Sequence, residues 1–258
     1  MILTVDIGNT HTVMGLFDGE KLCVSIRIAS DAKRTEDELE YYIEELFAKK
    51  GFDVTSAEGG IVSSVVPNCT KPMAKAMEHL IGKKTLVVGP GMKTGLSILY
   101  DDPKEVGADR IVNAVGALTR HKAPLIIIDL GTATTYCVVN EKMQYLGGII
   151  SPGIGISSEA LFQRTAKLPR VELTIPPKFL NTNTVDAIRA GLMFSLIGEM
   201  EYIVGHLKEE LSMEDAPVIA TGGLANVLKD HTKAIEYYEP DLTLWGLKTI
   251  YEKNTPLR

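Results

Sequence analysis

The chain states one short pattern twice. Asp6-Ile-Gly-Asn-Thr-His-Thr near the start returns as Asp129-Leu-Gly-Thr-Ala-Thr-Thr, 123 residues further on. Each copy ends an apolar run, Ile2 to Val5 in one and Leu125 to Ile128 in the other, and each leads into a second β-rich stretch. An acid, a glycine and hydroxyls on the turn of a hairpin make a cradle for phosphate and a metal. Gly8 and Gly131 permit tight turns and close approach of the backbone to an anion. Asn9, Thr10, Thr12, Thr132, Thr134 and Thr135 can add hydrogen bonds. Asp6 and Asp129 repel phosphate, so they are expected to hold a cation, or its waters, that binds the phosphates in turn. Turn formation alone does not demand Asp and Thr at the same offsets twice. The repeat therefore implies two similar half-molecules facing one nucleotide.

The order of elements agrees with this. Strands are expected at Ile2–Val5, Thr12–Phe17 and Leu22–Ile28, with Asp18-Gly19 as a hairpin turn. A helix follows over 35–50, its apolar face made by Leu39, Ile43, Leu46 and Phe47. Next come a buried strand at Gly60–Val66, a helix capped by Asn68 and running to about Ile81, and a strand at Thr85–Val88. Residues 89–107 form a long Gly-, Pro- and Asp-rich loop, a length more often functional than idle. A helix then spans Ala108 to Arg120. The second half repeats the opening: strands at Leu125–Ile128, Thr135–Val139 and Met143–Ile150, then a Pro/Gly stretch and a helix to about Arg164. Residues 165–183 read as irregular, and a long helix runs from Thr184 to about Leu211. Strands at Pro217–Ala220 and Ile235–Tyr237 and a terminal helix over 242–251 complete the chain. Three hairpin strands before each helical part predict an α/β fold with mixed sheets. The best boundary lies within Arg120–Pro124, giving domains 1–120 and 121–258.

Composition narrows the partners. Hydrophobic residues make up 45% of the 258 and charged residues 23%, enough for a sizeable core. A net charge of −6 argues against nucleic acid and against an anionic membrane surface. Phosphate binding must then come from local amides and cations. Cys23, Cys69 and Cys137 are odd in number and widely spaced, so they are expected to be core thiols. No apolar run reaches the length of a membrane span, and Asp6 interrupts the N-terminal one, which makes the cytoplasm the expected location.

Three further places carry chemistry. Thr221-Gly222-Gly223 follows a strand, where a base or ribose could lie flat against the backbone at a helix N-terminus. His11 lies inside the first turn, within reach of a ligand. Gly107-Ala108-Asp109-Arg110 opens a helix at the end of the long loop. Its bland reading is an N-terminal acid with a surface arginine. Its sharper reading is a base with an anion clamp. A helix N-terminus would lower the Asp109 pKa and weaken it as a base. Phosphoryl transfer tolerates that, because its loose transition state needs an aligned hydroxyl more than strong proton abstraction.

Asp6-Ile-Gly-Asn-Thr, Asp129-Leu-Gly-Thr-Ala-Thr-Thr and Thr221-Gly222-Gly223 resemble the two phosphate motifs and the adenosine motif of the actin-like, sugar-kinase and heat-shock ATPase superfamily. Within it the chain resembles the type III pantothenate kinases. The distinguishing residues are Tyr100-x-x-Pro103-x-x-x-Gly107-Ala-Asp109-Arg110, Gly147-Gly148-x-Ile150-x-Pro152-Gly153, Asn183-Thr184-x-x-Ala187-Ile188-x-x-Gly191 and Asp241-Leu-x-Leu-x-Gly246-Leu247. The resemblance implies two similar actin-like (ribonuclease H-like) domains. It implies transfer of the ATP γ-phosphate to the 4′-hydroxyl of pantothenate, the first step of coenzyme A synthesis. Asp6, Ile7, Gly8, Asn9, Thr10, His11, Thr12 and Val13 would form the first phosphate loop, with Thr132, Gly222 and Gly223 also on ATP. Asp109 would be the base. Tyr100, Gly107, Ala108, Asp109 and Arg110 would line the pantothenate site, and Thr184 would reach it at the interface of a homodimer. Asp129 would hold a monovalent cation, K⁺ or NH4⁺, and Mg²⁺ would accompany ATP near Asp6.

Two other readings share these motifs. Another small-molecule kinase or a polyphosphate-type phosphatase of the same architecture fits the phosphate turns equally well, and only Tyr100–Arg110 and Asn183-Thr184 argue against it. A non-catalytic transcription accessory factor is the alternative from another class. The intact Asp6, Asp109 and Asp129 and the acidic balance argue against that one.

Overall fold

A computed structural model describes residues 1–255. They form two compact units. The first is Met1–Arg120 with the residues from Asp241 on, and the second is His121–Pro240.

In the first unit, β1 (Ile2–Ile7) is the middle strand of a sheet ordered β3-β2-β1-β4-β5. β2 (His11–Asp18) and β3 (Lys21–Ala29) make antiparallel pairs, while β4 (Gly59–Ser64) and β5 (Leu86–Val87) run parallel. Alternation sends Leu3, Val5 and Ile7 to one face. They pack there with Leu39, Ile43 and Phe47 of α1 (Glu36–Ala48) and Met73 and Met77 of α2 (Pro67–Ile81). Thr35 closes the start of α1 with a capping box: it accepts from the Glu38 amide, and its own amide donates to the Glu38 carboxylate at 2.8 Å. The start of α2 differs from expectation. Asn68 is not its cap; the helix begins at Pro67 after Val66 with no side-chain cap. Proline suits that first position because its φ is fixed and it lacks the N–H that would go unbonded.

The other face of the sheet carries Thr4 and Asp6. Thr4 registers with Ile61, which packs with Val112 and Val115 of α3 (Ala108–Arg120) and Leu247 and Ile250 of α7 (Leu242–Asn254). Here the expected division of the chain needs correction. Residues from 241 on were expected with the second half, yet α7 packs on α3, β1 and β4 of the first unit. The cause is a close helix crossing. A Cβ on Gly116 would overlap the Leu242 carbonyl, and one on Gly246 would overlap the Val112 carbonyl. Two glycines let the backbones touch, and the apolar face of α7 completes the seal. Between β5 and α3 the long segment holds only β6 (Ser97–Ile98) and a 3-10 turn at Pro103–Glu105.

The second unit repeats the scheme. Its strands run β9-β8-β7-β10-β11, the same order and directions as β3-β2-β1-β4-β5. These are β7 (Leu125–Leu130), β8 (Ala133–Val139), β9 (Gln144–Pro152), β10 (Val218–Thr221) and β11 (Tyr237–Tyr238). β9 runs two residues past its expected end and β11 lies later than Ile235. α4 (Ile154–Arg164) and α5 (Thr184–Glu210) fall where the pattern puts them. Leu192, Met193, Leu196 and Met200 of α5 pack on Ile126, Ile128, Tyr136 and Val138. Each such buried side chain contributes roughly 1.5–3 kcal/mol. Cys69 and Cys137 are buried thiols as expected, while Cys23 is half-buried. No described helix is long and apolar enough to cross a membrane.

Candidate functional site

The repeated turn is not quite a repeat in space. The first hairpin loop has three residues, Gly8-Asn9-Thr10, and the second has two, Gly131-Thr132. Gly8 donates its N–H to the His11 carbonyl at 3.0 Å; Gly131 donates to Ala133 at 3.2 Å. The extra residue shifts the register. Asp6 stands opposite Val13 and Ile7 opposite Thr12, whereas Asp129 stands opposite Thr135 and Leu130 opposite Thr134. Thr12 and Thr135, matched in the sequence, are therefore not equivalent; the counterpart of Thr12 is Thr134, and both are buried. Opposed residues of an antiparallel pair share a face. Beside Asp129 lies a hydroxyl, beside Asp6 the apolar side chain of Val13.

Around the first turn, Asn9, Thr10 and His11 are exposed and Asp6, Gly8 and Val13 half-buried. Asp6 registers with Ser63 on β4, whose side chain is fully buried and whose Oγ has no hydrogen-bond partner. The helix α3 covers this face of the sheet. On its first turn, one turn before Val112, sits half-buried Asp109, and Arg110 beside it is buried. The Arg110 amide donates to Asp109 Oδ1 at 2.8 Å and to the Gly107 carbonyl at 3.1 Å. Tyr100 is half-buried on the preceding loop.

The ionisation of Asp109 runs against expectation. Burial pushes its pKa above the ordinary carboxylate range, and this outweighs the Arg110 amide and the Arg110 charge, which pull it down. The helix N-terminus is present, but desolvation wins. Asp109 is consequently a stronger base than its position on a helix suggests. Gly107 guards its placement: a Cβ there would lie 2.5 Å from Asp109 Oδ1. Gly107→Ala is expected to displace that carboxylate rather than the backbone, since a side-chain end yields first. Where Asp109 serves as the expected base, a shift near 1 Å can cost about 10²-fold in rate, so kcat should fall by roughly 10- to 100-fold with little change in melting temperature. Steady-state rates alongside a thermal melt check this.

In the second unit three turns converge. Thr221 registers with Asp129. Gly222, at φ +92°, brings its Cα so near the end of β7 that a Cβ would lie 2.6 Å from the Leu130 oxygen. After β9, Gly153 donates its N–H to the Thr132 carbonyl at 3.2 Å, and a Cβ there would overlap the Gly131 and Thr132 carbonyls. Thr132 and Gly223 are exposed beside them. Sequence reasoning gave Gly153 no site role; its signal was the Pro152-Gly153 pair directly after a strand. The helix following Gly223, α6 (Ala225–Leu228), is a single turn. What the turn offers a ligand is flat backbone rather than a helix dipole.

Thr184 is the exposed first residue of α5, held by the Asn183 side chain, which accepts from the Asp186 amide at 2.9 Å. It lines a cavity of about 750 Å³ with Leu161, Leu168, Ile188, Leu192 and Glu199. Glu199 accepts hydrogen bonds from the Tyr136 hydroxyl (3.0 Å) and Ser151 Oγ (2.6 Å).

These features have counterparts in known proteins. Residues 2–206 match the protein family described as type III pantothenate kinase. A type III pantothenate kinase of Bacillus cytotoxicus is 48% identical over 258 residues, all of this chain and 98% of the relative. One from an Exiguobacterium species is 46% identical over 254 residues, 98% of this chain and 99% of the relative. The fold is similar to the crystal structure of (R)-2-hydroxyglutaryl-CoA dehydratase component A from Acidaminococcus fermentans. The TM-score is 0.56 at 14% identity, covering 97% of this chain and 96% of that one. The duplicated mixed sheets agree with the expected actin-like fold, and the family match over residues 2–206 spans both Asp-x-Gly turns and Asp109. The chain belongs to the type III pantothenate kinase family.

Proposed function

We propose that this chain transfers the γ-phosphate of ATP to the 4′-hydroxyl of pantothenate, with Asp109 as the base. The observation that carries the reading is Asp109 itself: a carboxylate with a raised pKa, on the helix that covers the Asp6 face of the sheet. In the proposed reaction Asp109 accepts the hydroxyl proton as the oxygen attacks phosphorus and the bond to the ADP leaving group breaks. The raised pKa strengthens the pull on that proton, and burial lets the carboxylate fix the hydroxyl in line. Gly107, Ala108 and Arg110 place the carboxylate and, with Tyr100, receive pantothenate. The Asp6–Val13 turn takes the ATP phosphates, Thr132 contacts ATP, and Gly222-Gly223 accommodate its adenosine.

The cations belong to the same reading. Magnesium commonly keeps several waters and takes only one or two carboxylates besides substrate phosphates. Asp6 fits that pattern as a single half-buried carboxylate at the end of β1, directly before the first turn. The unpartnered Ser63 hydroxyl, next to it in register, suits a water of such a shell. Mg²⁺ bound there would neutralise charge developing on the phosphates. At Asp129 the neighbouring Thr135 hydroxyl supplies a second oxygen, which suits K⁺ or NH4⁺. Homodimerisation is supported by exposed Ile150, Ile156, Phe179, Leu180 and Val185, the last of them next to Thr184 in the chain. The cytoplasm is the proposed location.

The deciding experiment couples ADP release to pantothenate addition, with Mg²⁺ and K⁺ present. Turnover that depends on pantothenate is expected. Its absence, or equal turnover with sugars or acetate, would overturn the reading.

A further inference from the structure

We propose that Ser30 is the positioning residue of the first phosphate turn. The inference rests on reading the Asp6–Val13 turn as the ATP phosphate loop. Ser30 follows β3 and is half-buried behind the turn. It bonds three residues of that turn at once. Its amide donates to the Thr10 carbonyl at 3.0 Å. Its hydroxyl donates to the Gly8 carbonyl at 2.7 Å, and lies 2.9 Å from Thr12 Oγ1.

Proton counting fixes the direction of the last bond. A serine hydroxyl has one proton and two lone pairs. The Ser30 proton goes to Gly8, whose oxygen can only accept. Thr12 must then donate to Ser30. The Thr12 hydroxyl proton points inward, and Thr12, 3% exposed, supports the turn from behind instead of donating to phosphate. Gly8 is flexible by nature, and its N–H is already committed to His11 at 3.0 Å. With its carbonyl pinned by Ser30, the peptide following Gly8 is fixed in orientation. That peptide carries the Asn9 amide, at the tip of the turn where phosphate is read. Preorganised donors bind without reorganising at the moment of reaction. Ser30 thus acts on ATP through Gly8, Thr10 and Thr12, with no contact of its own.

The test measures ATP binding by titration calorimetry without pantothenate, and steady-state rates with it, for the full chain and for Ser30→Ala and Ser30→Thr. Ser30→Ala strands the Gly8 oxygen and the Thr12 proton, which should weaken ATP binding and raise its KM about tenfold. The KM for pantothenate should stay within about twofold, because Tyr100 and the Gly107–Arg110 turn belong to a separate segment, before and at the start of α3, and these hydrogen bonds of Ser30 all go to the first turn. Ser30→Thr, which keeps the hydroxyl, should restore most of the affinity. Unchanged ATP affinity in Ser30→Ala, or equal rises in both KM values with no rescue by threonine, would overturn the proposal. A wild-type chain that binds ATP without phosphorylating pantothenate would sink the kinase reading yet leave the Ser30 comparison intact. A wild-type chain that binds no ATP would overturn both.

Discussion

Asp109→Asn should lower kcat by about 10²- to 10⁴-fold, the range over which a positioned acid or base acts, while leaving the fold at least as stable. The two halves of this expectation have one cause. Burial raises the folded-state pKa above the ordinary value. Between the unfolded and folded pKa values the native chain binds more protons than the unfolded one, so stability falls as pH rises through that window. Above it the charged, desolvated carboxylate is a standing penalty at neutral pH. Asparagine keeps the shape and the acceptor for the Arg110 amide but removes the charge. The melting temperature at neutral pH should therefore be unchanged or higher, and the difference from wild type should shrink as pH falls. Wild-type kcat/KM should decline on the acid side with an apparent pKa above that of an ordinary carboxylate. Rates near wild type in the variant would remove Asp109 from the base role. A clearly lowered melting temperature at neutral pH would contradict the burial argument.

Gly222→Ala should strongly damage the second unit. Its φ of +92° lies where side chains are strained, and the added carbon would sit 2.6, 2.7 and 2.9 Å from the oxygen, carbonyl carbon and nitrogen of Leu130. All three are backbone atoms in a central strand, so none yields as a side-chain end would. Strain and overlap together should cost roughly 2–5 kcal/mol. The displaced β7 end carries Asp129 and Gly131, so ATP affinity should fall as well. Denaturant titration beside nucleotide binding checks both. A variant with wild-type stability and ATP affinity would mean that the close approach of Gly222 to Leu130 has no consequence. Gly223→Ala, at the exposed neighbour, is the control expected to be mild in stability.

Much of this was legible in the chain. Duplicated sheets follow from two apolar strands ending in Asp-x-Gly turns, because a period of two and a turn residue are local properties. The long α5 begins at Thr184, where the pattern puts it. Element edges were less legible: Pro67 displaced Asn68 from the cap of α2, and β9 continued through Pro152. The site residues were legible as types but not as states. Asp109 is visible as a helix-opening acid, yet its raised pKa depends on what buries it. Thr12 reads as a phosphate ligand until Ser30 is found holding it from behind.

By itself the sequence determined that two similar hairpin turns with an acid, a glycine and hydroxyls would exist, and that Asp109 would open a helix after a long loop. Local pattern suffices for that, since turn chemistry and strand alternation act over a few residues. Tertiary structure alone decided three matters. It set the one-residue offset that puts Val13 beside Asp6 and Thr135 beside Asp129, because register is a relation between strands. It sent α7 back to the first unit, because only two glycines far apart in sequence, Gly116 and Gly246, allow that crossing. And it reversed the expected shift of Asp109, because desolvation is summed over neighbours that the chain brings in from a distance, while the helix end it opposes is local.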